Sequence, residues 1–306
     1  MTFQELAIKV IKEAKVPLAP EEIWELAKQK GYDREVGSQG KTPWSSIGAQ
    51  LYVSVRDRKD SPFAKTETKP RRFYLRSFLK EIKDFDKLIE AQAEKEPAPS
   101  GFTFLERQLH PFLAYFSFYY LKSYTKTIEH TKSDKKEYGE WVHPDMVGCY
   151  FPIGDWKPEV IEFSSSIGNV PTRISSFEIK RELSFSNLRE SFFQTISNSS
   201  WANESYLVAA HISIDEDFQE ELRRLSSSFG IGVIRLDIED PDSSEVILPP
   251  KFKDTLDWES VNKLSMNPDF REFLKRVKTD LSSKEIRQEK YDKVIEKDSL
   301  IKSIRN

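Results

Sequence analysis

The sequence predicts a mixed α/β (α+β) chain in two parts: a small unit of three helices and a hairpin, then a larger unit in which helices flank one mixed sheet. Three observations lead there. The stretch Glu96-Pro97-Ala98-Pro99-Ser100-Gly101 breaks regular structure about a third of the way along. Before it, apolar residues recur at helical spacing and end in two short strand-like runs; after it, helical and strand patterns alternate. At 306 residues the chain also exceeds what one core usually holds. The expected boundaries are 1–80 for the small unit, 81–101 for a linker, 102–280 for the larger unit and 281–306 for a charged tail.

In the small unit, Phe3, Leu6, Ala7, Val10, Ile11 and Ala14 mark a first helix, and Ile23, Trp24 and Ala27 a second that ends at Gly31. Thr42-Pro43-Trp44 starts a third, with Thr42 as cap and Pro43 in the first turn. Ile47, Leu51 and Val55 point inward, with Tyr52 beside them. Phe63–Glu67 and Arg71–Leu75, turned near Lys69-Pro70, form a basic hairpin.

In the larger unit, an apolar helix is expected over Phe102–Tyr124 and a strand over Glu140–Phe151. Glu159–Ser165 and Arg173–Arg181 read as two strands turned through Gly168-Asn169. A helix over Asn187–Ser197, a strand over Tyr206–Ile212, a helix over Asp217–Phe229 and a strand over Gly232–Ile238 follow. Peripheral helices fill 249–276, and the tail from Ser282 is a helix or partly disordered.

Composition narrows the function. With 38% hydrophobic and 32% charged residues the chain is globular rather than disordered. The single cysteine, Cys149, excludes an internal disulfide and cysteine-built zinc sites. No apolar run approaches the roughly 18 residues of a membrane span, and the start lacks a signal-peptide pattern. A cytoplasmic location is expected. The net charge is −3, yet Lys41 to Lys83 holds eleven basic residues against four acidic ones. Such a basic module either docks on phosphates or is a solvated basic face.

Gly40-Lys41-Thr42-Pro43, then Ile47, Ala49, Leu51 and Tyr52, then Ser61, Phe63, Lys65, Phe73 and Leu75 resemble the HARE-type winged helix-turn-helix domain over about residues 1–77. The resemblance implies binding of double-stranded DNA and a role in sensing modified bases. The third helix would enter the major groove, with Lys41, Ser45, Ser46 and Gln50 on its exposed face, while Lys65, Arg71 and Arg72 on the wing reach phosphates. A winged helix used for protein contacts is the other reading.

The chemistry-bearing residues lie in the larger unit. Glu178 and Lys180, two apart on a strand, share a face, with Ile179 toward the core. Charge on such a strand needs a reason, because burying it unpaired is costly. With Asp145 they supply two carboxylates and a lysine. Asp145 and Glu178 would bind Mg²⁺, with Mn²⁺ as a substitute, aided by the Ile179 carbonyl. Lys180 would position a water and offset charge on a phosphate. Pro144-Asp145 and Glu178-x-Lys180, 33 positions apart, resemble the PD-(D/E)XK nuclease superfamily. That implies a metal-dependent endonuclease with a nuclease-like mixed sheet.

Trp141-Val142-His143-Pro144-Asp145-Met146-Val147-Gly148, Ser176-Phe177-Glu178-Ile179-Lys180, Phe193 to Ala202 and Tyr206-Leu207-Val208 resemble the HARE-linked restriction-endonuclease-like proteins of bacteria. This implies restriction or genome defence; whether a cognate methyltransferase is the working partner is left open by the sequence. Cutting both strands requires two sites, hence a homodimer.

Glu106 is either an outer contact to the metal or an ordinary surface or capping glutamate. Gln194 either supports the metal and phosphate or is a buried structural glutamine. Asn198, Ser199, Ser200 and Trp201 are assigned to capping and packing, His143 to structure and Cys149 to the core. No Walker A loop, GxGxxG or GxSxG is present. The alternative is a DNA-binding regulator that keeps the nuclease fold as a scaffold; a weaker third reading is a protein-interaction adaptor.

Overall fold

A computed structural model describes residues 1–37, 42–66, 70–82, 85, 104–129, 143–168 and 171–305. The chain divides into two compact units, Met1–Phe102 and Thr103–Asn306. Lys41, Glu67, Lys69, the expected linker core and the expected start of the 140–151 strand lie outside the described residues.

The small unit holds α1 (Phe3–Ala14), α2 (Pro20–Gln29), a one-turn α3 (Asp33–Val36), α4 (Pro43–Asp57), β1 (Phe63–Lys65), β2 (Phe73–Leu75) and α5 (Phe78–Glu81). Its three main helices and hairpin are as the sequence predicts. Thr2 and Glu5 close a reciprocal capping box on α1. Leu6, Ala7, Ile11, Ile23, Ala27, Ile47 and Leu51 are fully buried between the helices. Two expectations shift: Val55 is half-buried rather than inward, and the Thr42 side chain makes no capping hydrogen bond to α4. β1 and β2 pair antiparallel, and Leu18 adds an antiparallel bridge to Phe73, with main-chain hydrogen bonds of 3.0 and 2.8 Å. The hairpin is thereby stitched to the segment before α2.

The larger unit starts with a 3₁₀ turn (Glu106–Leu109) leading into α6 (His110–Tyr120). The expected single helix to Tyr124 is therefore too long. Lys122 takes a positive φ of 54°, and Ser123–Thr127 forms strand β3. Then come β4 (Met146–Tyr150), α7 (Pro158–Ser166), β5 (Arg173–Leu183), α8 (Leu188–Ser197), β6 (Glu204–Ile212), α9 (Glu216–Phe229), β7 (Gly232–Arg235) and β8 (Glu245–Leu248). α7 corrects the expected strand over Glu159–Ser165. Pro158 at the first helical position and Glu159 in the first turn start a helix there. The strand expected over 232–238 stops at Arg235, and β8 adds an edge that the sequence pattern does not announce.

The sheet runs β3-β4-β5-β6-β7-β8 in chain order. β5, β6 and β7 are parallel neighbours, so each connection needs a crossover, supplied by α8 and α9. The outer pairs are antiparallel. Leu188 and Phe192 of α8 and Phe218 and Leu222 of α9 pack with Leu207, Ala209 and Val233 on one face. Near the other edge, Val147 and Cys149 pack with Trp201 and with Phe270, Phe273 and Val277 of α11 (Pro268–Ser283), which follows the short α10 (Trp258–Leu264). Cys149 is a core residue, and burial raises its thiol pKa well above the ordinary range. Gly148 lets these strands close: a Cβ there would stand 2.7 Å from Ser123 Oγ and 3.0 Å from the Phe177 ring.

The segment expected as a charged tail is part of the fold. Tyr291 joins the core beside α11. In α12 (Lys297–Arg305), Leu300 is fully buried and Ile304 nearly so. Lys297 Nζ lies 2.7 Å from Asp240 and 2.9 Å from Asp242. Asp242 also accepts hydrogen bonds from Tyr115 and Tyr120. Leu300→Ala is therefore expected to destabilise the larger unit by about 2–5 kcal/mol. Hydrogen exchange would show it as lost protection across α12 and the 241–243 turn, whereas an unchanged profile would place this helix outside the fold.

Candidate carboxylate–lysine site on the central strand

β4 and β5 remain paired only as far as Met146 and Phe177. Beyond that point, the Ile179 N–H donates to Asp145 Oδ2 at 2.7 Å. A side chain therefore takes the place of the next ladder acceptor. The Asp145 main-chain carbonyl meanwhile accepts from Ile128 N–H beside β3 (2.9 Å). Asp145 is thus held from both sides at the mouth of the gap between two strands.

β5 continues beside β6 through Leu183, and the strand alternation places Glu178 and Lys180 on one face. Ile179 is fully buried, as the sequence predicts. Glu178 is only 7% exposed, and Lys180 Nζ donates to its Oε1 at 2.9 Å. Burial works to lower the Lys180 pKa, but the Glu178 carboxylate, then Asp145 and Glu106, outweigh it and hold it above the ordinary lysine value.

Glu106 sits in the 3₁₀ turn rather than in the α-helix expected for it. Burial raises its pKa; Lys180 opposes the rise and Asp145 adds to it. The Arg181 main chain and guanidinium act to lower it. Glu178 thus contacts the Lys180 ammonium group, and Asp145 and Glu106 lie within its electrostatic reach.

Gln194 lies on α8, which packs against β5 and β6. Its Oε1 is buried without a hydrogen-bond partner among the described residues. The other assignments follow the sequence. His143 is buried, its Nε2 at 3.2 Å from the Leu264 carbonyl. Asn198 closes α8, and Trp201 packs edge-on against Phe270.

The donor set is oxygen-only, which suits Mg²⁺ better than zinc. Among the described residues no group of three or more His, Cys, Asp or Glu side chains gathers to hold a metal. The acids stand around Lys180 instead of converging on one point. Asp145 and Glu178 would supply two carboxylates, with water in the remaining positions, as Mg²⁺ commonly accepts.

The expected DNA-contacting residues of the small unit are not equally placed. On α4, Ser45 is buried against expectation, Ser46 is half-buried and Gln50 is exposed. Ser45 shares a helix face with the buried Ala49 and Tyr52, four and seven positions on. On the wing, Lys65 is half-buried. Arg71 is 5% exposed, its guanidinium 5.0 Å from the Tyr52 ring centre. Arg72 forms a two-pronged ion pair with Glu22 of α2 and also donates to the Pro17 carbonyl. Both arginines thus brace the wing. Sequence alone could not pair Arg72 with an acid 50 positions away.

Lys180 gives a titration test. Its raised pKa contributes stability that is present below the ordinary lysine pKa and is lost as pH rises through the folded-state value. In Glu178→Gln, burial loses its main opponent, so the Lys180 pKa is expected to fall. NMR titration of the lysine side chains across the alkaline range reads this directly. No change would mean that Asp145 and Glu106 hold the charge without Glu178.

Comparison with known families bears on one part of the chain. No curated protein and no solved structure matches it. Residues 1–78 match the HARE-HTH family, whose description names it as a helix-turn-helix domain of ASXL and restriction endonuclease proteins. The small unit is thus a winged helix-turn-helix domain of the HARE type, a DNA-binding fold.

Proposed function

We propose that the chain is a metal-dependent DNA endonuclease serving restriction or genome defence. The observation that carries this reading is the constellation at the end of the β4–β5 pairing: Asp145 fixed on Ile179 N–H, with Glu178 and Lys180 on the adjoining strand. Asp145 and Glu178 offer oxygen donors of the kind Mg²⁺ prefers, close to a lysine. The HARE-type domain supports DNA as the substrate, and its family description names restriction endonucleases among the carriers.

Bound at Asp145 and Glu178, Mg²⁺ would polarise a phosphate oxygen and acidify a coordinated water. Asp145 holds its position through the main chain of β5, so its second oxygen is oriented before any ligand arrives. Lys180 would exchange part of its contact with Glu178 for the attacking water and offset charge growing on the phosphate. Glu106, whose pKa burial raises, stands close enough to influence Lys180 and would tune its charge or accept a proton from the water. Gln194, with its buried unpartnered oxygen, would support this arrangement from α8.

The Lys180–Glu178 contact favours a second reading, in which the two charges satisfy each other and the domain is a DNA-binding scaffold. Cleavage separates the readings. With Mg²⁺ or Mn²⁺, the native chain is expected to nick or cut plasmid DNA, and Lys180→Ala and Asp145→Asn each to lose about 10²–10³ in rate. DNA affinity in EDTA should stay intact in both variants. Comparing unmodified with cytosine-methylated plasmid reads modification preference, and sedimentation reads whether cutting needs a homodimer. Binding without cleavage by the native chain on either plasmid would establish the scaffold reading.

A further inference from the structure

We propose that a cavity of about 270 Å³ beside β3 and α11 in the larger unit is a phosphate-binding site. It is lined by Lys126 of β3, by Glu272, Lys275 and Arg276 of α11, and by Lys290 and Tyr291 of the following segment. Four basic groups face one carboxylate in a chain whose overall charge is negative.

The cations differ in how far they are already engaged. Arg276 is bound at one end by Asp280, which is completely buried and also accepts from the Tyr291 hydroxyl at 2.7 Å. Its Nε remains buried without a hydrogen-bond partner among the described residues. Lys126, Lys275 and Lys290 form no salt bridge among the described residues. Discounting Arg276 against Asp280, three lining ammonium groups oppose Glu272, and with Asp292 within electrostatic reach of Lys126 the charge left over lies between +1 and +2. That matches the charge of a phosphomonoester near neutral pH, about −1.5 to −2.

Size and shape limit the ligand further. The cavity lies just below the roughly 300–1,000 Å³ of ordinary small-molecule sites, so a single nucleotide or one phosphate of a strand fits better than a dinucleotide. Tyr291 provides an aromatic wall, and Glu272 an acceptor for a sugar hydroxyl or a base amino group.

The site is separate from the carboxylates on β5. In the strand register Lys126 lies opposite Val147, which lies opposite Ser176, and Glu178 is two residues further. The sheet repeat then puts the Lys126 and Glu178 Cα atoms about 12 Å apart on one face. The same phosphate chemistry has two sources, a free 5′-nucleotide or the backbone of a nucleic-acid strand.

Calorimetry on the full chain tests this in low-salt buffer with EDTA, which keeps divalent cations from contributing. The probes are deoxyadenosine 5′-monophosphate, deoxyadenosine and a short duplex. The nucleotide is expected to bind once per chain and the nucleoside not at all. Lys275→Glu and Lys290→Glu, at positions outside the core, should each weaken it at least about tenfold. Lys302→Glu, an equal charge change on the exposed part of α12, should not.

A duplex that competes with the nucleotide, or that itself loses affinity in the two cavity variants, identifies the backbone as the source. A duplex that does neither leaves the free nucleotide. The proposal is overturned if Lys302→Glu weakens the nucleotide as much as the cavity variants do. It is equally overturned if the native chain binds no nucleotide and binds duplex no better than the cavity variants.

Discussion

The hydrogen bond from Ile179 N–H to Asp145 Oδ2 is the constraint on which the larger unit's central region turns. A buried N–H on a central strand must find an acceptor. By supplying it from a side chain, the protein lets β4 leave β5 without an unsatisfied donor. Just past that point Glu178, which is buried, and Lys180, which is half-buried, share one face of β5. The parallel partner β6 meanwhile keeps that stretch of β5 straight. Asp145 cannot drift, because its own carbonyl is tied to Ile128 on the opposite side.

The other buried acids of this unit are also held by charged and hydroxyl partners. Asp280 is matched by Arg276 and Tyr291, and Asp242 by Lys297 and two tyrosines. Lys297 is shared between Asp242 and Asp240, so two carboxylates meet one ammonium group there as well. Around Lys180, Glu178 makes the direct contact, and Glu106 has a raised pKa chiefly because it is buried.

Much of this was legible in the sequence because it depends on short periodicities. The two-residue spacing of Glu178 and Lys180 set their common face, and Pro144-Asp145 marked the strand before them. The helices of the small unit announced themselves through apolar spacing, Pro43 and Gly31. What escaped the sequence depended on context. Pro158-Glu159-Val160-Ile161-Glu162-Phe163 has strand-like composition, but its proline sits where a helix begins. Ser123–Thr127 merges with a long apolar stretch and is separated from it only by the positive φ at Lys122. Leu300 and Ile304 are an apolar pair four apart among charges, too small a pattern to outweigh them. Arg72 looked exposed because its partner, Glu22, is distant in sequence.

The stitching of the wing to α2 has a mechanical consequence. Leu18 is hydrogen-bonded to β2, and Arg72 reaches from the same region of the hairpin to Glu22, in the first turn of α2. Force applied to the base of the hairpin is therefore transmitted to the start of that helix instead of being absorbed by a loose flap. A surface against which the wing is pressed would load α2 as a lever, and the helix would carry the strain into the three-helix core.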